Sequence, residues 1–468
     1  MSSEIAADIC VIGAGAGGLS VAAAAARLGR SVVLIEKGRM GGDCLNYGCV
    51  PSKALIAAAR RASQAGERLG VTYDRPKVDF AAVRHHLQSV IAAIAPHDSQ
   101  ERFEALGCTV IRDRAHFIAP DRVAAGERII RARRFVIATG SSPAIPDIPG
   151  LAVTPFLTNE TIFDLETLPA HLIVLGGGPI GCELGQAFRR LGSRVTIVSH
   201  SFLKRDDPEL AAVVLDSLRR DGVEMRRDAL LRVAGDNTGI AAHTAGGETL
   251  RGSHLLIAAG RRPNIDGLGL AAAGITATPR GIVVDQRLRT TNRRVYAIGD
   301  VTGRALFTHM AGYDAGIVIR HTLFRLPVRA RTDITPWCTF TTPELAQAGQ
   351  SEAAARAAGH GDIRVIVEKF ADNDRARAEG ETDGLIKIIA DQGGRILGVG
   401  IVGPHAGELI QPWCLALSRN LKLSALAGYI APYPTLGEAT KRAAGAFYEP
   451  ALFGPWTRRL VALLAKLG

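Results

Sequence analysis

Cys44 and Cys49 stand with four residues between them in the run Gly41-Gly42-Asp43-Cys44-Leu45-Asn46-Tyr47-Gly48-Cys49-Val50-Pro51-Ser52-Lys53. Upstream lies Gly13-Ala14-Gly15-Ala16-Gly17-Gly18, a turn lean enough for backbone to approach a pyrophosphate. A dithiol that near a dinucleotide turn is suited to taking electrons from a cofactor, which points to a redox enzyme. A structural disulfide and half of a zinc site are the plainer readings of the same pair. Val50-Pro51-Ser52 opens an alanine-rich helix, with Pro51 suited to its first turn. The positive end of that helix favours a thiolate at Cys49.

The elements that must position this pair come as a repeat. A strand, a Gly-x-Gly-x-x-Gly turn and a helix occur at Asp8 to Leu28 with Gly13, Gly15 and Gly18. They occur again at Leu172 to Leu191 with Gly176, Gly178 and Gly181. Second strands follow at Ser31–Ile35 and Arg194–Val198. Glu36 lies 23 residues after Gly13, where a carboxylate would meet adenosine ribose hydroxyls. Ser199 lies 23 residues after Gly176, so the second site lacks that acid. Each unit closes on a hydrophobic strand and a glycine, at Val136 to Gly140 and Leu255 to Gly260. Two nucleotide cofactors are expected, on an α/β fold of two Rossmann-like domains.

The cysteine run resembles the active-site segment of the flavin-dependent disulfide reductases, the class I pyridine nucleotide-disulfide oxidoreductases, which include dihydrolipoamide dehydrogenase, glutathione reductase and mercuric reductase. The resemblance implies a Cys44–Cys49 disulfide beside FAD, with Cys49 next to the flavin and Cys44 meeting substrate. It also implies that Lys53 pairs with Glu183 near the flavin. The first site then takes FAD through Gly13, Gly15, Gly18, Glu36, Lys37 and Gly42, with Thr139 and Gly140. Arg293 to Asp300 resembles the second FAD segment, with Asp300 on the ribityl chain and His309 close by. The nicotinamide nucleotide falls to Gly176, Gly178, Gly181, Ser199, His200, Gly260 and Arg261. Ser199, with His200, Lys204, Arg205 and Arg262 available to a 2′-phosphate, favours NADPH over NADH. The implied domains are an FAD domain at 1–149 resuming at 281–334, a nicotinamide domain at 150–280, and an α+β interface domain at 335–468 that forms a homodimer.

Within the last region, Ala431-Pro432-Tyr433-Pro434-Thr435-Leu436-Gly437-Glu438 aligns with the family's His-Pro-Thr…Glu motif. Tyr433 stands where disulfide reductases carry a histidine base, whereas Glu438 fits. Tyrosine, with a pKa of about 10, is a poor proton carrier near neutrality. A soft cation is captured directly by thiolates and needs less; the family's mercuric reductases also carry tyrosine there. Against them stand the ending Ala465-Lys466-Leu467-Gly468, without their terminal cysteine pair, the lack of their N-terminal metal-carrier domain, and Pro179 in place of a tyrosine over the nicotinamide pocket. The expected acceptor is therefore a disulfide or a soft metal ion, with lipoyl groups, free or protein-bound, as the alternative. A slow redox-sensing or carrier-binding flavoprotein is the reading from another class. His309 and His405 are expected to pack or cap rather than replace the missing base, and no resident metal site is expected.

The bulk composition agrees with an ordinary globular enzyme: 47% hydrophobic, 22% charged, formal net charge +11. The positive balance suits an acidic or nucleotide ligand, and no nucleic-acid module is visible. Cys10, Cys108, Cys182, Cys338 and Cys414 lie in apolar stretches, as core residues of a cytoplasmic protein do. Glu4 and Asp8 occupy positions that a signal peptide would keep basic, and no run is long enough to span a membrane. The tail from Trp456 to Leu467 gathers Trp456, Leu460, Leu463, Leu464 and Leu467 on one face beside Arg458, Arg459 and Lys466. Packing on the enzyme body is expected for it, ahead of contact with an anionic membrane.

Overall fold

The computed structural model describes residues 3–64, 66–74, 76–236 and 238–467. Its first sheet is built on Ser3–Ile12, whose apolar run Ile9–Ile12 is buried throughout, as a central parallel strand requires. Val32–Ile35 and Arg128–Ile137 flank it in parallel, with Cys108–Ile111 beyond the first and Val295–Ala297 beside the second. An antiparallel hairpin, Ala115–Ala119 and Arg122–Ala125, completes the sheet. Val295–Ala297 thus returns to the first sheet after a long excursion of the chain.

That excursion forms a second parallel sheet in the order Glu224–Arg226, Arg194–Phe202, His171–Gly177, His254–Ile257. The helices Ala16–Arg27 and Pro179–Leu191 follow the two glycine turns as expected. One strand is longer than the sequence suggests. Beyond a bulge, Gly177 pairs with Phe202, so Ser199 and His200 lie inside the strand rather than past its end.

The third region is a five-stranded antiparallel sheet, Pro336–Thr339, Glu344–Gly349, Ile396–Gly403, Leu385–Asp391 and Ile363–Lys369. Trp413, Phe370, Ala443 and Ala444 share its core. Lys387 crosses from this sheet to the second region, its buried ammonium 3.1 Å from Asp207, 3.2 Å from Glu209 and 3.2 Å from Glu352.

Two expectations need correcting. Cys338 and Cys414 pack against the core of the third region but are only half-buried, unlike Cys10, Cys108 and Cys182. The tail helix Pro455–Leu464 buries none of its residues, and Trp456 is 73% exposed, so this chain's own body does not cover it. Among the described residues, no helix is long and apolar enough to cross a membrane.

Candidate functional site

Cys49 opens the helix Cys49–Ala62, directly after Gly48, and Cys44 sits on the preceding turn Gly42–Asn46. Pro51 falls in the first turn, where its missing N–H costs nothing. Neither cysteine is joined in a disulfide. The Cys44 thiol pulls the Cys49 pKa down to about 6, with help from Thr308 and Lys53, against partial desolvation and the Asp43 carboxylate. A hydrogen bond to Cys49, and then burial, push Cys44 up, so it keeps its proton. Thr308, whose hydroxyl lies 3.4 Å from the Cys49 sulfur, was not found by sequence reasoning. Its only signal there is adjacency to His309.

Helix Cys49–Ala62 packs on helix Pro179–Leu191 through Leu55, Ile56, Cys182 and Phe188. This packing brings Lys53 Nζ to 2.8 Å from Glu183 Oε2, although 130 residues separate them. The Phe340 N–H donates to the other Glu183 oxygen at 2.9 Å, and Lys53 lies 4.4 Å above the Phe340 ring. Burial works against the Lys53 ammonium, but Glu183 more than offsets it and the Lys53 pKa rises.

The glycine turns repeat in detail. Gly13 and Gly176 adopt φ values of +105° and +126°, and a Cβ on either would collide with a carbonyl, of Ala138 or Ala258. Gly18 and Gly181 bring helix against strand so closely that a Cβ would strike the first glycine of each turn. The middle glycines are open: the nearest atom to a Cβ at Gly15 is Gly42 Cα at 3.9 Å, and nothing lies within 4 Å at Gly178. Two tight glycines and one facing space make a cradle for a pyrophosphate at each helix N-terminus. Glu36 sits just past its strand and accepts 2.6 Å hydrogen bonds from Ala14 and Gly38 N–H, beside exposed Lys37. The donor set therefore fits a dinucleotide such as FAD at the first turn and a nicotinamide nucleotide at the second.

The closing strands meet one another. Ser141–Pro143 pairs antiparallel with Arg261–Pro263, Thr139 bonds Asn264, and Ala144 N–H donates to Gly260. Asn264 N–H donates to the Gly140 carbonyl. Arg261 lies beside this seam, donating to Ser141 at 2.7 and 2.8 Å and pairing with Asp43 at 3.3 Å. Ser141 Oγ donates to Asp300 at 2.6 Å, and burial raises the Asp300 pKa. Asn159 completes the network with bonds to Asp43 at 3.0 Å and the Tyr47 carbonyl at 3.1 Å.

Other expected residues go elsewhere. Ser199 Oγ donates to the Ser201 carbonyl, and His200 is exposed. Arg205 stacks on Phe307 and Trp337, and Arg262 pairs with Asp266 at the surface. His309 stacks on Phe307 and contacts the Pro336 carbonyl at 2.9 Å, and partial desolvation lowers its pKa. His405 precedes the short helix Ala406–Leu409. Tyr433 is 69% exposed and donates to Asp374 at 2.9 Å; that bond raises the phenol above its ordinary value. Glu438 begins the helix Glu438–Ala446, its N–H bonded to Thr435. Among the described residues no group of three or more His, Cys, Asp or Glu side chains is placed to hold a metal.

Residues 7–352 match the family model described as pyridine nucleotide-disulphide oxidoreductase, and residues 335–444 match the dimerisation domain of the same group. A mercuric reductase from Streptomyces lividans is 37% identical, over 94% of this chain and 96% of its own. A dihydrolipoyl dehydrogenase from Geobacillus stearothermophilus is 35% identical, over 93% of this chain and 95% of its own. The Cu(II) complex of the HOCl-induced flavoprotein disulfide reductase RclA from Escherichia coli superposes with a TM-score of 0.85 at 30% identity, covering 94% of this chain and 99% of that one.

Proposed function

This chain belongs to the pyridine nucleotide-disulphide oxidoreductases, and within that family we propose that it passes electrons to a soft metal ion. It is an FAD-dependent NAD(P)H oxidoreductase, and its dimerisation domain supports a homodimer. The observation that carries the proposal is Tyr433, whose phenol is held by Asp374 and raised in pKa, and is thus unfit to move protons near neutral pH. Disulfide substrates need such a group; a soft cation bound by two sulfurs does not. The similarity to mercuric reductases and to a Cu(II)-binding reductase supports the same reading.

FAD, when bound, supplies the two-electron relay between nicotinamide and the cysteine pair. It would be held by the first glycine cradle, Glu36 and Asp300. Lys53, fixed by Glu183, offers a positive charge to that region. Two electrons reaching a Cys44–Cys49 disulfide open it to the dithiol. Cys49 holds the thiolate, assisted by Thr308, while Cys44 retains a proton until an acceptor arrives. A divalent soft cation displaces that proton and takes both sulfurs as ligands. Transfer of two electrons to the metal then re-forms the S–S bond and releases the reduced element.

We place Tyr433 at the partner subunit's pocket, since it lies in the region that matches the dimerisation domain and is itself 69% exposed. NADPH is the preferred donor in this proposal, on the strength of Ser199 with His200 and Lys204 exposed beside it. We propose a cytoplasmic setting, with which the scattered, unpaired spacing of the remaining cysteines agrees.

The test is anaerobic NADPH and NADH oxidation by the purified holoenzyme, with mercuric ion in excess thiol and, separately, with lipoamide. Turnover with mercuric ion that Cys44→Ala abolishes is the expected result. Fast turnover with lipoamide alone would make this a lipoyl enzyme and leave Tyr433 without the assigned meaning.

A further inference from the structure

The tail helix Pro455–Leu464 lies past the matched dimerisation domain, and its stem is tied by Thr457 Oγ1 to the Ala451 carbonyl. Apart from Val461, it gathers its large apolar side chains on one side. At about 100° per residue, Trp456, Leu460, Leu463, Leu464 and Leu467 fall on one side, and Arg458, Arg459 and Lys466 on the other. The apolar side is open: Trp456 is 73% exposed, Leu463 60% and Leu467 80%. Leu452 and Phe453, in the preceding turn, are equally bare and extend the surface.

A face of this kind is not left to water; charge decides what covers it. From Pro450 onward the sequence carries three basic residues and no acidic one. A second copy of this chain bears a net +11 and offers poor electrostatic complement to a cationic helix. A bilayer rich in anionic lipid offers both requirements at once, an acyl boundary for Trp456 and the leucines and phosphates for the arginines and lysine. The helix is far too short to span a membrane and of the right character to lie in its surface plane.

We propose that the Pro455–Leu464 helix and the turn that follows it dock the enzyme on an anionic lipid surface, with Trp456, Leu460, Leu463 and Leu467 inserted and Arg458, Arg459 and Lys466 at the headgroups. The site of electron transfer then works beside a membrane rather than in bulk solution. This holds whatever acceptor the cysteine pair serves.

The experiment is co-sedimentation of the full-length holoenzyme with vesicles of phosphatidylcholine alone and with added phosphatidylglycerol. Binding at least about tenfold tighter to the anionic vesicles, weakened by high salt, is expected from three basic residues. The pair W456E/L463E abolishes binding, and R458E/R459E removes the preference for anionic lipid, while both keep wild-type turnover and dimer mass in solution. Equal sedimentation with both vesicles, none with either, or binding indifferent to both pairs overturns the proposal. So does a W456E/L463E enzyme whose dimer dissociates, because the face would then be a subunit contact.

Discussion

Thr308→Val isolates one hydrogen bond at the reactive sulfur. In the wild type the hydroxyl lies 3.4 Å from Cys49 Sγ, one of the contacts that hold the thiol pKa at about 6. Valine keeps the shape and removes the donor. A hydrogen bond to a charged group is worth about 1.5–3 kcal/mol. Cys49 is exposed, and water replaces part of that, so the low end applies. At about 1.4 kcal/mol per pKa unit, the midpoint should rise by about one unit, to about 7. It stays below the ordinary thiol range because Cys44 remains the larger stabiliser. The thiolate fraction at pH 6 should then fall about fivefold, from about one half to about one tenth. At pH 7 it should fall only about twofold. The assay is the pH profile of iodoacetamide alkylation in the anaerobically reduced holoenzyme, with the Cys49 peptide quantified by mass spectrometry. The midpoint, not the plateau, is the readout, because thiolate nucleophilicity itself rises with pKa. Thr308→Ser should keep the wild-type midpoint. An unchanged midpoint in Thr308→Val, or an equal shift in Thr308→Ser, would refute the assignment.

Further perturbations probe the surrounding charges. Asp43→Asn removes a carboxylate that opposes the Cys49 thiolate and should lower the alkylation midpoint, whereas Arg261→Gln unmasks that carboxylate and should raise it. Shifts in the same direction would mean that both changes merely loosen the loop. Lys53→Met leaves Glu183, 6% exposed, without its cation and should cost about 3 kcal/mol in urea unfolding. Adding Glu183→Gln should recover part of that loss, since the buried charge is gone and Phe340 N–H keeps an acceptor; no recovery would count against the pair. At Lys387 burial pulls the pKa down, but Asp207, Glu209 and Glu352 raise it further. A lysine raised on folding stabilises fully below its unfolded pKa of about 10.4, and the gain is lost as pH climbs through the folded value. The stability gap between wild type and Lys387→Met should thus be level from neutral pH to about 10 and close above it. A gap that closes near neutrality would refute the pairing of Lys387 with these three carboxylates.

The sequence by itself determined the features that act through local chain geometry. Gly13 and Gly176 must be glycine because their φ values and the adjacent carbonyls forbid a Cβ, and that demand is written at fixed spacing. Cys49 beside Pro51 marks a helix start, and the spacing to Glu36 or Ser199 is a matter of strand length. Even so, the bulge at Gly177 extended the second strand past Ser199, since it depends on what Phe202 packs against. Only the tertiary structure decided that Thr308, 259 residues from Cys49, would touch its sulfur, and that Arg261 would grip Asp43. It also set Arg205 into an aromatic stack with Phe307 and Trp337 and left the tail helix bare. No periodicity encodes such contacts, because they arise where separately folded sheets and helices come to rest against one another.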